Sequence, residues 1–291
     1  MPHHQPVVVV TTADQHRFEL IHVPCTDARR CLLLLPGMGL SARQYITFAR
    51  ALAERGIEVF IHEWRGVGSS NRRASRRCSW GYLELLDDID AARAAVVARI
   101  DGAFVLAGHS LGAQFACLSA GRSSAGCRAL VLIAGGAPYW RVFPGAKRWM
   151  MLGVVGLFPL LAAMVGHYPG KRIGFAGREA RGVMSDWARS ARDGRYEPGG
   201  VDQDLEQGMA DLTLPVLAVR MADDWFVPAA SFDWLLGKLR RCEITTTDVA
   251  AASSGELSDH YRWMRRPERT VATIESWLSG HGSQRSAPDA C

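Results

Sequence analysis

In "FVLAGHSLGAQFA", residues 104–116, one serine, Ser110, stands between two glycines, Gly108 and Gly112, where a strand-like run passes into a helix-like one. A hydroxyl on so tight a bend is pushed outward, and the N-terminus of the following helix points at the same place. The two glycines leave room where the backbones on either side of the bend crowd together. Serine alone is a poor nucleophile, so this reading requires a base beside it and an acid to hold that base. On a strand–turn–helix nucleophile the acid and base follow in the chain order Ser…Asp…His. The acid is expected in "MADDWFVP", directly after the strand-like "LPVLAVRM". Asp224 is the first choice there and Asp223 the second, with a polar start to the next helix as the plain structural alternative. The base is expected to be His260, in "GELSDHYRWMRR", after "CEITTTDVA" and before the last helix. Asp259 beside it would raise its basicity. Of the other histidines, His109 adjoins Ser110, too close in the chain to reach back as a base, and is placed with the substrate pocket. Negative charge developing on a substrate oxygen needs preorganised N–H donors. The amide of Leu111 is one, and the amide of Met38 in the "PGMG" loop, next to Gly37, is the second.

These side chains have to be held by a scaffold, and the order of elements supplies one. Two strand-like segments ("PVVVVTT", "FELIHVP") precede the continuous apolar run "RRCLLLLPG". A helix-like "SARQYITFARALAERG" follows, with Ser41 at its start and Gly56 at its stop. Strand and helix then alternate through "IEVFIHEW", "SWGYLELLDDIDAARAAVVARI", "AFVLAG", "LGAQFACLSAG" and "CRALVLIAG". Alternation resumes with "LPVLAVRM", "ASFDWLLGKLRR", "CEITTTDVA" and "RPERTVATIESWLSG". This pattern implies an α/β protein with a mostly parallel sheet, helices on both of its faces, and active residues on loops beyond the carboxyl ends of the strands.

The alternation stops over residues 137–213, which read as a helical insertion, or lid, over a core of residues 1–136 and 214–281, with a flexible tail at 282–291. The run from Trp149 to Gly166 carries no charge and approaches the ~18 residues of a membrane span. Pro159 and its glycines favour a lid with an apolar inner face, and peripheral contact with a bilayer is left open. Trp140, Trp149, Met150, Met151, Leu152, Phe158, Leu160, Leu161 and Met164 in the insertion, and Trp225 after the acid, are the candidates for an apolar substrate pocket.

The chain has 291 residues, 48% hydrophobic and 22% charged, enough for a full core and not a disordered composition. A net charge of +5 is mild, and its densest basic run, "NRRASRR", accompanies no nucleic-acid-binding module. Seven cysteines without metal-like spacing fit a reduced compartment and no metal site. The N-terminal residues lack the features of a secretion signal, and a cytoplasmic location is expected.

Together "LLLLPGMG", "EWRGVGSS", "GHSLG", "MADDWFVP" and "DHYRWMR" resemble the α/β-hydrolase superfamily, specifically its monoacylglycerol-lipase and serine-aminopeptidase-like serine hydrolases. The insertion is similar to that of a bacterial subgroup known mostly by fold. The resemblance spans almost the whole chain and implies an eight-stranded sheet with a lid, a Ser110–His260–Asp224 triad and no cofactor. Departures are Pro36 where His is common, Glu63 for an Asp, Met221 for a Gly and Asp259 for a Gly. The expected activity is cleavage of a small-molecule ester or thioester with a hydrophobic acyl group. Acyl transfer to another acceptor, or ligand binding without catalysis, are the alternatives.

Overall fold

The computed structural model describes residues 5–251 and 256–281, so the tail expected at 282–291 lies outside the described residues. The sheet is made of β1 (Val7–Thr11), β2 (Arg17–Val23), β3 (Arg30–Leu35), β4 (Ile57–Ile61), β5 (Phe104–His109), β6 (Cys127–Ile133), β9 (Val216–Met221) and β10 (Ile244–Val249), and a small ribbon, β7 (Tyr168–Pro169) with β8 (Arg178–Glu179), lies apart from it. The eight strands run in the order β1-β2-β4-β3-β5-β6-β9-β10. β1 with β2 and β2 with β4 are antiparallel, and every other pair is parallel. This is the doubly covered, mostly parallel sheet that the sequence pattern implied, in the eight-stranded α/β-hydrolase form that the family resemblance implied.

Successive side chains of a strand point to opposite faces. Leu33, Leu35, Leu106, Leu130 and Leu132 therefore join one core, while Leu32, Leu34, Val105, Val131 and Ile133 join the other. Both faces are covered, which is why "CLLLL" shows no polar alternation. Helices α1 (Ile46–Ala53) and α9 (Glu268–Gly280) close the second core, and α2 (Tyr82–Val97), α3 (Leu111–Arg122) and α8 (Ala229–Leu236) close the first. A 3-10 turn, Ala42–Tyr45, leads into α1, and the Ser41 amide is held by Gln44 Oε1 at 2.9 Å. Gly56 ends that unit at φ +78°, in the left-handed region.

Between β6 and β9 lie α4 (Lys147–Val165), α5 (Gly170–Ile173), α6 (Arg181–Asp193) and α7 (Leu205–Asp211). The insertion is tied down by polar contacts as well as by packing. Asp186 on α6 accepts the Tyr82 amide at the start of α2 (2.9 Å) and the Gly199 amide (3.1 Å). Such a carboxylate satisfies an orphan donor and complements the helix dipole.

Candidate active site

Ser110 sits between β5 and α3 with φ +54° and ψ −116°, a strained conformation for a residue with a Cβ. The glycines around it are there for space. A Cβ on Gly108 would fall 2.1 Å from the Gly112 carbonyl oxygen, and one on Gly112 would fall 2.1 Å from the Leu35 carbonyl oxygen. The Ser110 amide donates to Ile133 O at 3.0 Å, which pins the bend to β6.

His260 Nε2 lies 2.9 Å from Ser110 Oγ, and His260 Nδ1 lies 2.9 Å from Asp224 Oδ2. Both side chains of the His260–Asp224 pair are almost fully buried. The other Asp224 oxygen accepts the amides of Phe226 (2.8 Å) and Val227 (2.9 Å), so the carboxylate is fixed from two sides. Asp223 points elsewhere: its Oδ2 accepts the Ser258 amide at 2.9 Å, and its amide donates to Ser258 O at 3.0 Å. It staples the Asp224 loop to the His260 loop. Asp259 accepts the amides of Tyr261 (3.0 Å) and Arg262 (2.8 Å) and pairs with Arg262, so its carboxylate serves the turn after His260.

A second Ser–His–Asp chain shows what the first has in addition. His16 lies 2.9 Å from both Ser70 Oγ and Asp88 Oδ1. Ser70 Oγ there also accepts the amides of Gly66 and Arg72, and Arg65 clamps Asp88 with two nitrogens. That hydroxyl is saturated and buried. Ser110 Oγ has the imidazole as its hydrogen-bond partner and faces a cavity.

The cavity measures about 280 Å3 and is mostly apolar. Gly37, Met38, Ser110 and Leu111 form its floor, and Met150, Met151, Val154 and Phe158 of α4 form a wall. Phe175, Ala176, Trp187, Trp225, Phe226 and Tyr261 also line it. Neither the Met38 nor the Leu111 amide donates to a protein acceptor among the described residues, and both residues line the cavity with Ser110. The Gly37 amide is already engaged, donating to Tyr45 Oη at 2.9 Å. Gly37 contributes its missing side chain: a Cβ there would come 3.0 Å from His109 Nδ1.

Six pocket expectations need correcting, those for Trp140, Trp149, Leu152, Leu160, Leu161 and Met164, and the one for His109 needs detail. His109 borders the cavity but has no exposed surface, and both ring nitrogens are taken: Nδ1 by Tyr45 Oη (2.7 Å) and Nε2 by the His260 carbonyl (2.9 Å). Burial first, then the neighbouring His260, push its pKa well below the ordinary value, so the ring is neutral. Because Nε2–H donates to His260 O, Nδ1 accepts from the tyrosine. Hydrogen bonds thus run from the Gly37 amide through Tyr45 and His109 to the main chain of His260. His109 links the Gly37 loop to the His260 main chain while its ring borders the cavity. Trp149 is 63% exposed, Trp140 packs against it at a tilt with ring centroids 5.7 Å apart, and neither lines the cavity. The reason is helical phase: at 100° per residue, Trp149 lies on the side of α4 opposite Met151. Leu152, Leu160, Leu161 and Met164 are likewise not among the lining residues.

Sequence reasoning missed Tyr45, Phe175, Trp187 and Phe226. Tyr45 is a lone tyrosine in a helical stretch, and nothing local marks it. Among the described residues, no cluster of His, Cys, Asp or Glu has the makings of a metal site.

The match to known families and structures agrees with this arrangement. Residues 26–185, more than half of the chain, match the family described as serine aminopeptidase, S33. No curated protein matches. Among solved structures the chain is similar to a membrane phospholipase A described as a bacterial virulence factor (19% identity, TM-score 0.61, 96% of this chain and 87% of that one). It is also similar to an esterase from Exiguobacterium antarcticum (16% identity, TM-score 0.62, 94% and 99%). An esterase from Thermogutta terrifontis is comparable (17% identity, TM-score 0.60, 94% and 98%). At these identities the structural likeness speaks to fold, and the family rests on the sequence match: the chain belongs to the serine aminopeptidase (S33) family of α/β hydrolases.

Proposed function

We propose that this protein is a serine hydrolase that cleaves an ester or thioester of a hydrophobic acyl group through an acyl-serine intermediate. The observation that carries the proposal is the 2.9 Å approach of His260 Nε2 to a strained Ser110 hydroxyl at the floor of an apolar cavity. Ser110 Oγ attacks the carbonyl carbon as His260 Nε2 takes its proton, and Asp224 stabilises the imidazolium through Nδ1. The resulting oxyanion is met by the amides of Met38 and Leu111. His260 returns the proton to the departing alcohol or thiol. A water then attacks the acyl-serine, again giving its proton to His260, and the acid leaves with Ser110 restored.

The cavity lining supports an apolar acyl group, because its walls offer methionine, valine and aromatic side chains. The insertion acts as a lid in this reading: α4 roofs Ser110 and keeps bulk water from the acyl-enzyme. A series of p-nitrophenyl esters from acetyl to palmitoyl, with fluorophosphonate labelling, tests the proposal on wild type and Ser110→Ala. Labelling and turnover should vanish in the variant, and turnover should peak at one chain length. Equal rates for the two proteins would end the proposal.

A further inference from the structure

Beyond Lys147 and Arg148 at its start, the residues of α4 that face away from the body are all apolar. Trp149, Met150, Gly153, Gly156, Leu157, Leu160, Ala163, Met164 and Val165 are all exposed. Five large ones lie at 50% exposure or above: Trp149 63%, Met150 64% (which also borders the cavity), Leu157 50%, Leu160 56% and Met164 62%. A surface helix of a globular protein carries polar residues on that side, and one that is apolar all round is either buried or in contact with lipid. Single exposed apolar residues are ordinary, but a continuous stripe over five turns is not.

The charged residues that flank the stripe in the chain are all basic. Arg141, Lys147, Arg148, Lys171 and Arg172 are exposed around the two ends of α4, and the chain has no acidic residue between Asp101 and Glu179. An apolar stripe with a basic fringe is the pattern of a helix lying in the plane of an anionic bilayer surface. We infer that the outer face of α4 docks on an anionic phospholipid bilayer, with Trp149, Leu157, Leu160 and Met164 at the acyl boundary and the basic fringe on the headgroups.

Two other occupants fit less well. The helix is long and apolar enough to span a membrane, but its inner face is committed to the body. Val155, Phe158 and Ala162 are buried, Phe158 packs on Tyr168 with centroids 4.6 Å apart, and Arg76 donates to the Met164 carbonyl. A second copy of the chain would bring the same patch against itself across a two-fold axis, setting one basic fringe against the other. An anionic surface satisfies both the stripe and the fringe. Because Met150, Met151, Val154 and Phe158 of the same helix wall the cavity, docking sets the mouth of the cavity beside the bilayer.

The inference does not depend on the acyl-serine reading, since binding is measured on full-length Ser110→Ala protein. Vesicles of phosphatidylcholine containing phosphatidylglycerol should carry the protein in flotation, and phosphatidylcholine alone should carry much less. Leu157→Asp with Leu160→Asp should lower the partition coefficient about tenfold or more. Arg148→Glu with Arg172→Glu should do the same and remove the salt dependence. Melting temperature reports whether each variant is folded. Trp149 gives an independent readout without disturbing the stripe: vesicles should blue-shift the emission, and the shift should be lost in Trp149→Phe. Failure of the wild type to bind, or unchanged binding by folded Leu157→Asp/Leu160→Asp, overturns the inference. So does a dimer that Leu157→Asp/Leu160→Asp dissolves while neither protein binds vesicles.

Discussion

Tyr45→Phe removes one oxygen and keeps the ring that packs on His109 and Trp263. The lost hydroxyl accepts the buried Gly37 amide and donates to His109 Nδ1, so two buried polar groups lose their partner at once. Each such loss costs about 1–3 kcal/mol, which makes about 2–6 kcal/mol for the pair. At ~2–4 °C per kcal/mol for a chain of this order of size, the melting temperature should fall by about 4–24 °C. Catalysis should suffer separately. A released Gly37 amide frees the loop that aims the Met38 amide, and loss of one oxyanion donor costs about 100- to 1,000-fold in kcat. Partial misalignment should cost about 10- to 100-fold in kcat with little change in KM, the signature of an interaction made only in the transition state. The assay is steady-state hydrolysis of the best p-nitrophenyl ester, run well below the melting point of the variant, alongside a separate thermal melt. A Tyr45→Phe protein with wild-type kcat would refute the idea that this hydrogen-bond chain aligns the loop with the base, whatever its melting temperature.

The adjacent aspartates should separate cleanly: Asp224→Asn should lower kcat about 10,000-fold, as expected when the base loses its orienting carboxylate, while Asp223→Asn should change melting far more than kcat. The reverse order in a kinetic comparison would move the acid to Asp223. Gly108→Ala should destabilise by about 3 kcal/mol or more, because its methyl would press on backbone that cannot retreat, and urea unfolding measures it. Glu179 is buried, with one oxygen on the Gly177 amide at 2.9 Å, and burial raises its pKa to about 7. A folded-state pKa above the unfolded value means stability present at low pH and lost as pH rises from about 4.5 to about 7, up to about 3 kcal/mol in all. His62, driven down to about 4 by burial, acts in the opposite sense over an overlapping range. The diagnostic quantity is therefore the difference between wild type and Glu179→Gln, which should close that gap by shrinking as pH falls; a pH-independent difference would contradict the assignment.

The bend at Ser110 was legible in the sequence because its cause is local. Two glycines at fixed offsets answer a crowding that involves only the adjoining strand, its neighbour and the next helix. Fold class was legible for a related reason: alternating strand and helix runs, with apolar strands lacking polar alternation, admit few arrangements other than a doubly covered parallel sheet. His260 and the aspartate pair could be nominated from chain order alone. Choosing between Asp223 and Asp224 could not, because the two share every local property and differ only in the direction the turn gives each side chain. The tryptophans were misplaced for a similar reason. A helix apolar on all sides has no preferred inner face in its sequence, so only packing against Tyr168 and Trp187 settled that Phe158 turns in while Trp149 turns out. Tyr45 and His109 became linked partners only when β3, α1 and β5 were brought together, since a hydrogen bond across 64 residues leaves no periodic trace in the chain.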